Sequence, residues 1–156
     1  MNKKLLTILA LLIVIGSVSA VSAFDLGDLF GGQDDKNQTV TIEGFKFNIP
    51  SDYKETPVPN ETAKTLEHYK EDGINFTVKN FVKDEKNALE IGVMKNLTDS
   101  QIEKLVPAGS NNTTIAGNTG NLREENGLSV FTYVKDSNVI TITGSDKEII
   151  NEVLKV

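Results

Sequence analysis

Few side chains in this sequence of 156 residues could carry out chemistry on their own. There is one histidine, His68, and there is no cysteine. The lack of cysteine excludes disulfides, thiol nucleophiles, iron–sulfur clusters and cysteine-based zinc sites, and one histidine cannot form a two-histidine relay. We interpret His68, between Glu67 and Tyr69, as a half-exposed strand residue and not as a general base. A protein that only binds is therefore expected more than an enzyme.

The 22 acidic residues are the remaining source of catalytic groups. Hydrolysis of a glycan needs two carboxylates close together in space, but no pair stands out in the sequence. Asp34–Asp35 and Glu124–Glu125 lack the ligand spacing of a calcium loop and are interpreted as solvated pairs. Gly117 and Gly120 are interpreted as turn residues because no strand-to-helix context surrounds them. We assign no catalytic, cofactor-binding or metal-binding residue and expect no cofactor.

One motif occurs more often than chance predicts, the Asn-X-Thr acceptor of N-glycosylation. Random placement of the 15 Asn, 14 Thr and 9 Ser would give roughly 2 such motifs, and the sequence has 6. The candidate acceptors are Asn37, Asn60, Asn75, Asn96, Asn111 and Asn112. An Asn- and Thr-rich composition is the alternative explanation, and the neighbours Asn111 and Asn112 would exclude each other.

The N-terminus indicates export. Lys3 and Lys4 precede an uncharged run over 5–24 that ends in small residues. This layout is typical of a secretory signal peptide over residues 1–23, cleaved after Ala23 or after Ala20. An uncleaved anchor that crosses the membrane through residues 5–24 is the alternative. Both interpretations place the rest of the chain in the extracellular space or at the outer face of the cytoplasmic membrane.

The negative net charge of the chain limits the kinds of partner that it can bind. The formal net charge is −6, and removal of residues 1–23 leaves 14 basic and 22 acidic residues. No basic surplus exists to displace phosphate counterions, so no nucleic acid partner is expected. The sequence favours a non-enzymatic protein of the cell envelope that binds an envelope protein, a polymer or a small ligand. A carboxylate-dependent hydrolase acting on cell-surface glycans is the alternative.

Residues 24–39 are predicted to be an acidic linker and residues 40–156 a single α+β domain. Alternating apolar residues predict strands from Val40 onward, and a parity change at Glu43-Gly44 predicts a turn or bulge. Residues 64–71 and 74–83 flank Asp72-Gly73 and predict a hairpin. Leu89, Ile91 and Val93 alternate with Glu90 and Gly92, and a second hairpin is predicted over residues 128–143. The strand over 128–135 is apolar on both sides and belongs in the middle of a covered sheet.

Two helices are predicted to pack on the antiparallel sheet, at about 98–106 and 145–155, after an apolar helix at the N-terminus. Thr98 and Gln101 have the spacing of a capping box, and so do Ser145 and Glu148. Ile149, Ile150, Val153 and Leu154 form one apolar stripe on the second helix. The fold class predicted is α+β, with a sheet built of hairpins.

Four segments resemble small exported proteins of methanogenic archaea, for which no activity is known to us. They are Val40–Pro50, Thr114–Gly120, Val130–Val134 and Ile140–Ile142. The order of elements is also similar to the layout of PsbP-like and Mog1-like folds. The resemblance spans about residues 40–156 and consists of strands and turns, so it implies a fold and carries over no site residues.

Overall fold

The computed structural model describes residues 37–106 and 112–156, and these contain nine strands and three helices. The strands are β1 (Gln38–Ile42), β2 (Phe45–Ile49), β3 (Lys54–Thr56), β4 (Asn75–Val82), β5 (Ala88–Lys95), β6 (Asn112–Ile115), β7 (Asn118–Glu125), β8 (Leu128–Lys135) and β9 (Asn138–Gly144). The helices are α1 (Asn60–Glu71), α2 (Asp99–Leu105) and α3 (Lys147–Leu154). The predicted α+β class is confirmed, with three helices here and not two. The apolar N-terminal helix that we predicted lies outside the described residues.

Seven strands form one antiparallel sheet in the order β3-β4-β5-β9-β8-β7-β6, and β1 pairs with β2 as a separate hairpin. Elements pack on both sides of the large sheet. The β1–β2 hairpin and α3 cover one side, called the hairpin face, and α1 and α2 pack on the other side, called the helix face. Because side chains alternate along a strand, each central strand supplies residues to both faces.

The larger core lies under the hairpin face. Phe131, Ile140 and Ile142 from the sheet meet Phe47 of β2 and Ile150 of α3 there, all essentially without solvent exposure. A second core lies under α1 and α2, where Phe76, Met94 and Val139 contact Tyr69 and Leu105. Strand β8 is buried on both sides over most of its length, which confirms its predicted central position.

The hairpin predicted across Asp72-Gly73 is wrong, because residues 60–71 form α1. Thr62, Leu66 and Tyr69 are spaced four and three residues apart, and helical geometry places them on one face toward the sheet. Gly73 has a positive φ of 81° and ends the helix in a Schellman motif. The amide of Ile74 donates to the Tyr69 carbonyl at 2.9 Å, and the amide of Gly73 donates to the Lys70 carbonyl at 3.1 Å.

Side-chain hydrogen bonds at the N-cap define where α2 and α3 begin. The capping box of Thr98 and Gln101 is present at α2, as predicted. At α3 the cap is Asp146, whose carboxylate accepts from the Ile149 amide at 2.9 Å, in place of the predicted Ser145. The Ser145 hydroxyl donates instead to Asp146 Oδ2 at 3.0 Å. The apolar stripe of α3 is confirmed, since Ile149, Ile150 and Val153 are buried.

Candidate functional site

His68 lies on α1 and not on a strand, so its predicted placement is wrong. Its side chain is 78% exposed, and its ring Nδ1 lies 3.4 Å from a carboxylate oxygen of Glu71, one helical turn away. Helical spacing alone explains that contact. Among the described residues, nothing surrounds the imidazole with the partners that a general base needs.

Replacement of His68 by Gln is expected to change the free energy of unfolding by less than ~1 kcal/mol, because exposed side chains contribute little. Thermal melting of the two proteins measures this change. Unaltered ligand binding by His68→Gln is expected as well. A variant that melts like the parent but no longer binds would instead place His68 in a site.

The adjacent carboxylates of Glu124 and Glu125 point to opposite faces of β7 and are separately engaged. Glu124 Oε1 accepts from the Ser129 hydroxyl at 2.6 Å. Glu125 Oε1 accepts from Arg123 Nε at 2.6 Å. The described part of the chain contains no group of three or more His, Asp or Glu that could hold a metal ion. Asp34 and Asp35 lie outside the described residues.

A buried polar row crosses the helix face. Asn80 of β4, Glu90 of β5 and Thr143 of β9 are direct neighbours in register, and each is more than nine-tenths buried. Glu90 is 4% exposed, and no described residue forms a hydrogen bond or ion pair with its carboxyl group. Burial alone raises the pKa of Glu90 from 4.5 to about 8. At neutral pH Glu90 is therefore mostly a neutral acid, able to donate a hydrogen bond.

A charged pair continues the same face on β7. Arg123 Nε donates a hydrogen bond to the carboxylate of Glu125, and Arg123 Nη1 lies 3.4 Å from the Thr132 hydroxyl. The hydroxyls of Thr132 and Thr141 lie 3.2 Å apart. Several buried polar atoms have no partner among the described residues: Asn80 Oδ1, Thr143 Oγ1, Arg123 Nη2 and Glu125 Oε2. Such atoms are uncommon in folded proteins and mark places where polar groups are held at a cost in stability.

The backbone keeps the two acids of this face apart. Glu90 lies on β5 and Glu125 on β7, with β9 and β8 between them. Three strand spacings amount to about 14 Å. Glycosidases hold their two carboxyl groups about 5 to 9.5 Å apart. The sheet thus places Asn80 and Thr143, and no second carboxylate, directly beside Glu90.

An open groove of about 590 Å³ lies at the end of the sheet where three hairpin turns meet, a volume in the ~300–1,000 Å³ range of ligand sites. The turns are Glu43–Gly44, Ala116–Gly117 and Asp136–Ser137, each with positive φ at both residues, as in type I′ hairpins. We call this space the turn groove. It is lined by Gly44, Phe45, Lys46, Ala116, Gly117, Asn118, Tyr133, Lys135, Asp136, Leu154 and Val156.

Apolar side chains and free cations share the turn groove. Tyr133 is buried and stacks on Phe131 with ring centroids 5.4 Å apart, while Phe45 is half-buried. Lys46 and Lys135 are exposed, and neither forms an ion pair with a described residue. The groove therefore combines the accessible ring of Phe45 with two ammonium groups and one carboxylate, that of Asp136.

Glu43 fixes one wall of the turn groove. Its carboxylate accepts from the Thr77 hydroxyl at 2.8 Å and from Lys95 Nζ at 3.2 Å. These two hydrogen bonds, with that of Thr77 the larger effect, lower the pKa of Glu43 below its ordinary value. Thr77 and Lys95 belong to the large sheet, so they tie the β1–β2 turn to it and preform the groove.

The sequence predicts neither the buried polar row nor the turn groove. Glu90 alternates with apolar residues as an exposed strand residue would, yet its own face also carries Ala88, Gly92 and Met94. These apolar neighbours on the same side of β5 indicate that this side of the sheet is covered. The groove has no comparable signal, because its three turns are far apart in the chain.

Comparison with protein-family models, with curated proteins and with solved structures finds no match to the chain. The resemblance to exported methanogen proteins thus stays a prediction. In the part of the chain that the structure describes, none of the helices is long and apolar enough to cross a membrane.

Proposed function

We propose that this chain is an exported, non-enzymatic binding module of the cell envelope, which takes an anionic saccharide of the envelope into the turn groove. The observation that carries the proposal is the groove itself, with the half-buried ring of Phe45 and two lysines that form no ion pair with a described residue. Export is proposed from the basic and apolar pattern of residues 1–23, either as a signal peptide or as an anchor.

Preorganisation supports binding at this place. Two-residue type I′ turns have little conformational freedom, and the Glu43 contacts fix one of them to the sheet. A ligand then meets walls that need not be ordered on binding, which lowers the entropic cost. A preformed concave surface with a few convergent polar groups is the usual form of a small-ligand site.

The two lysines and the ring of Phe45 define the chemical class of the proposed ligand. Lys46 and Lys135 can each pair with a carboxylate or phosphate group, and the half-buried ring of Phe45 can pack against a sugar ring. The net charge of −6 repels a long polyanion beyond the groove. We therefore propose that the ligand is a short stretch of an acidic saccharide and not an extended anionic polymer.

The glycan hydrolase is the weaker alternative. Its best acid, Glu90, has Asn80 and Thr143 as register neighbours, and the other acid of that face is three strands away. Glu90 also lies on the helix face, whereas the β1–β2 turn in the groove is tied to Thr77 and Lys95 on the hairpin face.

Isothermal titration of the protein with a short oligogalacturonate tests the proposal, with a neutral oligosaccharide of equal length for comparison. We expect saturable binding of the acidic probe that weakens as salt rises, because the lysines are exposed. The Lys46→Gln/Lys135→Gln variant is expected to bind at least ~10-fold more weakly, the equivalent of about 1.4 kcal/mol.

Lys64→Gln/Lys104→Gln is the matched control, because it removes the same charge from exposed positions on α1 and α2. It is expected to bind like the parent. Equal weakening by both double variants, or no binding of the acidic probe, would contradict the proposal. Shortening of the probe during incubation would favour the hydrolase.

A further inference from the structure

Solvent exposure separates the Asn-X-Thr asparagines from the other asparagines. Five of the acceptors fall in the described residues: Asn37, Asn60, Asn75, Asn96 and Asn112. All five are exposed. Of the eight other described asparagines, only Asn126 is exposed. A motif that arose from composition alone would not sort asparagines by exposure, so this difference favours a function for the acceptors. Asn111 lies outside the described residues.

The amide nitrogens differ in the same way. Asn48, Asn87, Asn118 and Asn138 lack the motif, and each donates a hydrogen bond through Nδ2 to a backbone carbonyl or to a carboxylate. Among the five described acceptors only Asn37 donates, to Glu152 at a long 3.3 Å on the exposed surface. Nδ2 is the atom that N-glycosylation modifies, and the acceptors leave it accessible.

The acceptors also occupy the ends of elements. Asn60 is the first residue of α1, Asn75 and Asn112 begin β4 and β6, and Asn96 follows β5 with a φ of 60°. Asn37 directly precedes β1. A glycan at an element end projects from the surface without displacing core side chains. None of the five lines the turn groove.

We propose that the exposed Asn-X-Thr asparagines are N-glycosylation sites and that the protein carries several glycans. In the transfer, Nδ2 of the asparagine bonds to C1 of a saccharide carried on a polyprenyl phosphate or diphosphate. The C1–oxygen bond to the lipid phosphate breaks, the lipid phosphate leaves with the electron pair, and Nδ2 loses one proton. No oxidant or reductant is needed.

The exposure of the motif threonine differs between the sites and predicts which of them can accept a glycan after folding. Thr39, which serves Asn37, is exposed, and so is Thr114, which serves Asn112. Thr62, which serves Asn60, is buried against the sheet. Because the motif includes the hydroxyl, transfer to Asn60 requires that α1 is not yet folded. Asn37 and Asn112 can accept a glycan before or after folding.

Mass spectrometry of the full chain, purified from the cells that make it, tests this inference. We expect an intact mass above that of the polypeptide and saccharide-bearing peptides that contain Asn37 and Asn112. The peptide with Asn126, an exposed asparagine without the motif, is expected to be unmodified. An intact mass equal to that of the polypeptide, or sugar on Asn126, would overturn the inference.

Two variants at one site separate glycosylation from other modifications of asparagine. Thr39→Ala is expected to remove the glycan from Asn37, and Thr39→Ser is expected to retain it, because serine also satisfies the motif. Loss or retention in both variants would overturn the assignment of Asn37. Each variant keeps Asn37 itself.

The inference rests on the export part of the proposed function, so the same cells are treated with protease from outside. A chain that is digested but carries no sugar overturns glycosylation alone. A chain protected inside the cell overturns export and glycosylation together. Neither result depends on whether the turn groove binds a saccharide.

Discussion

Replacement of Glu90 by Gln is expected to stabilise the fold at neutral pH, the reverse of the usual effect of a change in a core. Burial raises the pKa of Glu90 from 4.5 to about 8, so the folded chain retains a proton that the unfolded chain loses above pH 4.5. The free energy of unfolding therefore falls as the pH rises from 4.5 to about 8. Gln has no proton to lose and avoids this penalty, which is about 3 kcal/mol at pH 7.

Urea unfolding of both proteins at several pH values measures this difference. The two free energies are expected to converge as the pH falls below 4.5, where the acid becomes neutral in both states, and to separate as the pH rises. Glu103→Gln, at an exposed position on α2, is the control and should follow the parent at every pH. Parallel curves for Glu90→Gln and the parent would contradict the prediction.

The second large effect is expected at Phe131. Its ring is 0% exposed, stacks on Tyr133 and lies in the larger core beside Ile142, its register neighbour. Truncation to Ala removes the ring and leaves a cavity that the surrounding strands cannot close. We expect a loss of roughly 3–5 kcal/mol in the free energy of unfolding. Denaturant unfolding with an unchanged slope would show that the fold itself is retained.

Val134→Ala is the matched control on the same strand. Val134 points to the other face and is 40% exposed, so its truncation is expected to cost less than ~1 kcal/mol. Similar losses for the two variants would mean that β8 is not the central, doubly covered strand described above.

Structure is predicted best from the sequence where an element depends only on residues within a few positions of each other. The capping box of Thr98 and Gln101 and the stripe of α3 depend on neighbours within a few residues, and both are confirmed. The hairpin predicted over residues 128–143 is local in the same sense and is confirmed, because the two-residue turn Asp136–Ser137 joins β8 to β9.

Predictions fail where one local signal serves two structures. A glycine with positive φ closes a type I′ hairpin and also ends a helix, so Asp72-Gly73 could not distinguish them. The spacing of Thr62, Leu66 and Tyr69 favours the helix, because it places all three side chains on one helical face. That face is stabilised only when it packs on the sheet. The burial of Glu90 is not predicted for a related reason. Alternation along β5 does not reveal that α1 and α2 cover the second face of the sheet.

The two edges of the large sheet bear on how the protein behaves at high concentration. The central strands β4, β5, β7 and β8 have eight residues each, but the edge strands β3 and β6 have only three and four. Lys54 and Glu55 add charge to one edge, and the other edge consists mostly of Asn and Thr. These two strands offer a neighbouring molecule only a short ladder, although residues 75–79 of β4 and 122–125 of β7 extend beyond them. Short edge strands with charged or polar residues thus disfavour the growth of fibres along β3 and β6, and a glycan on Asn112 would shield the β6 edge further.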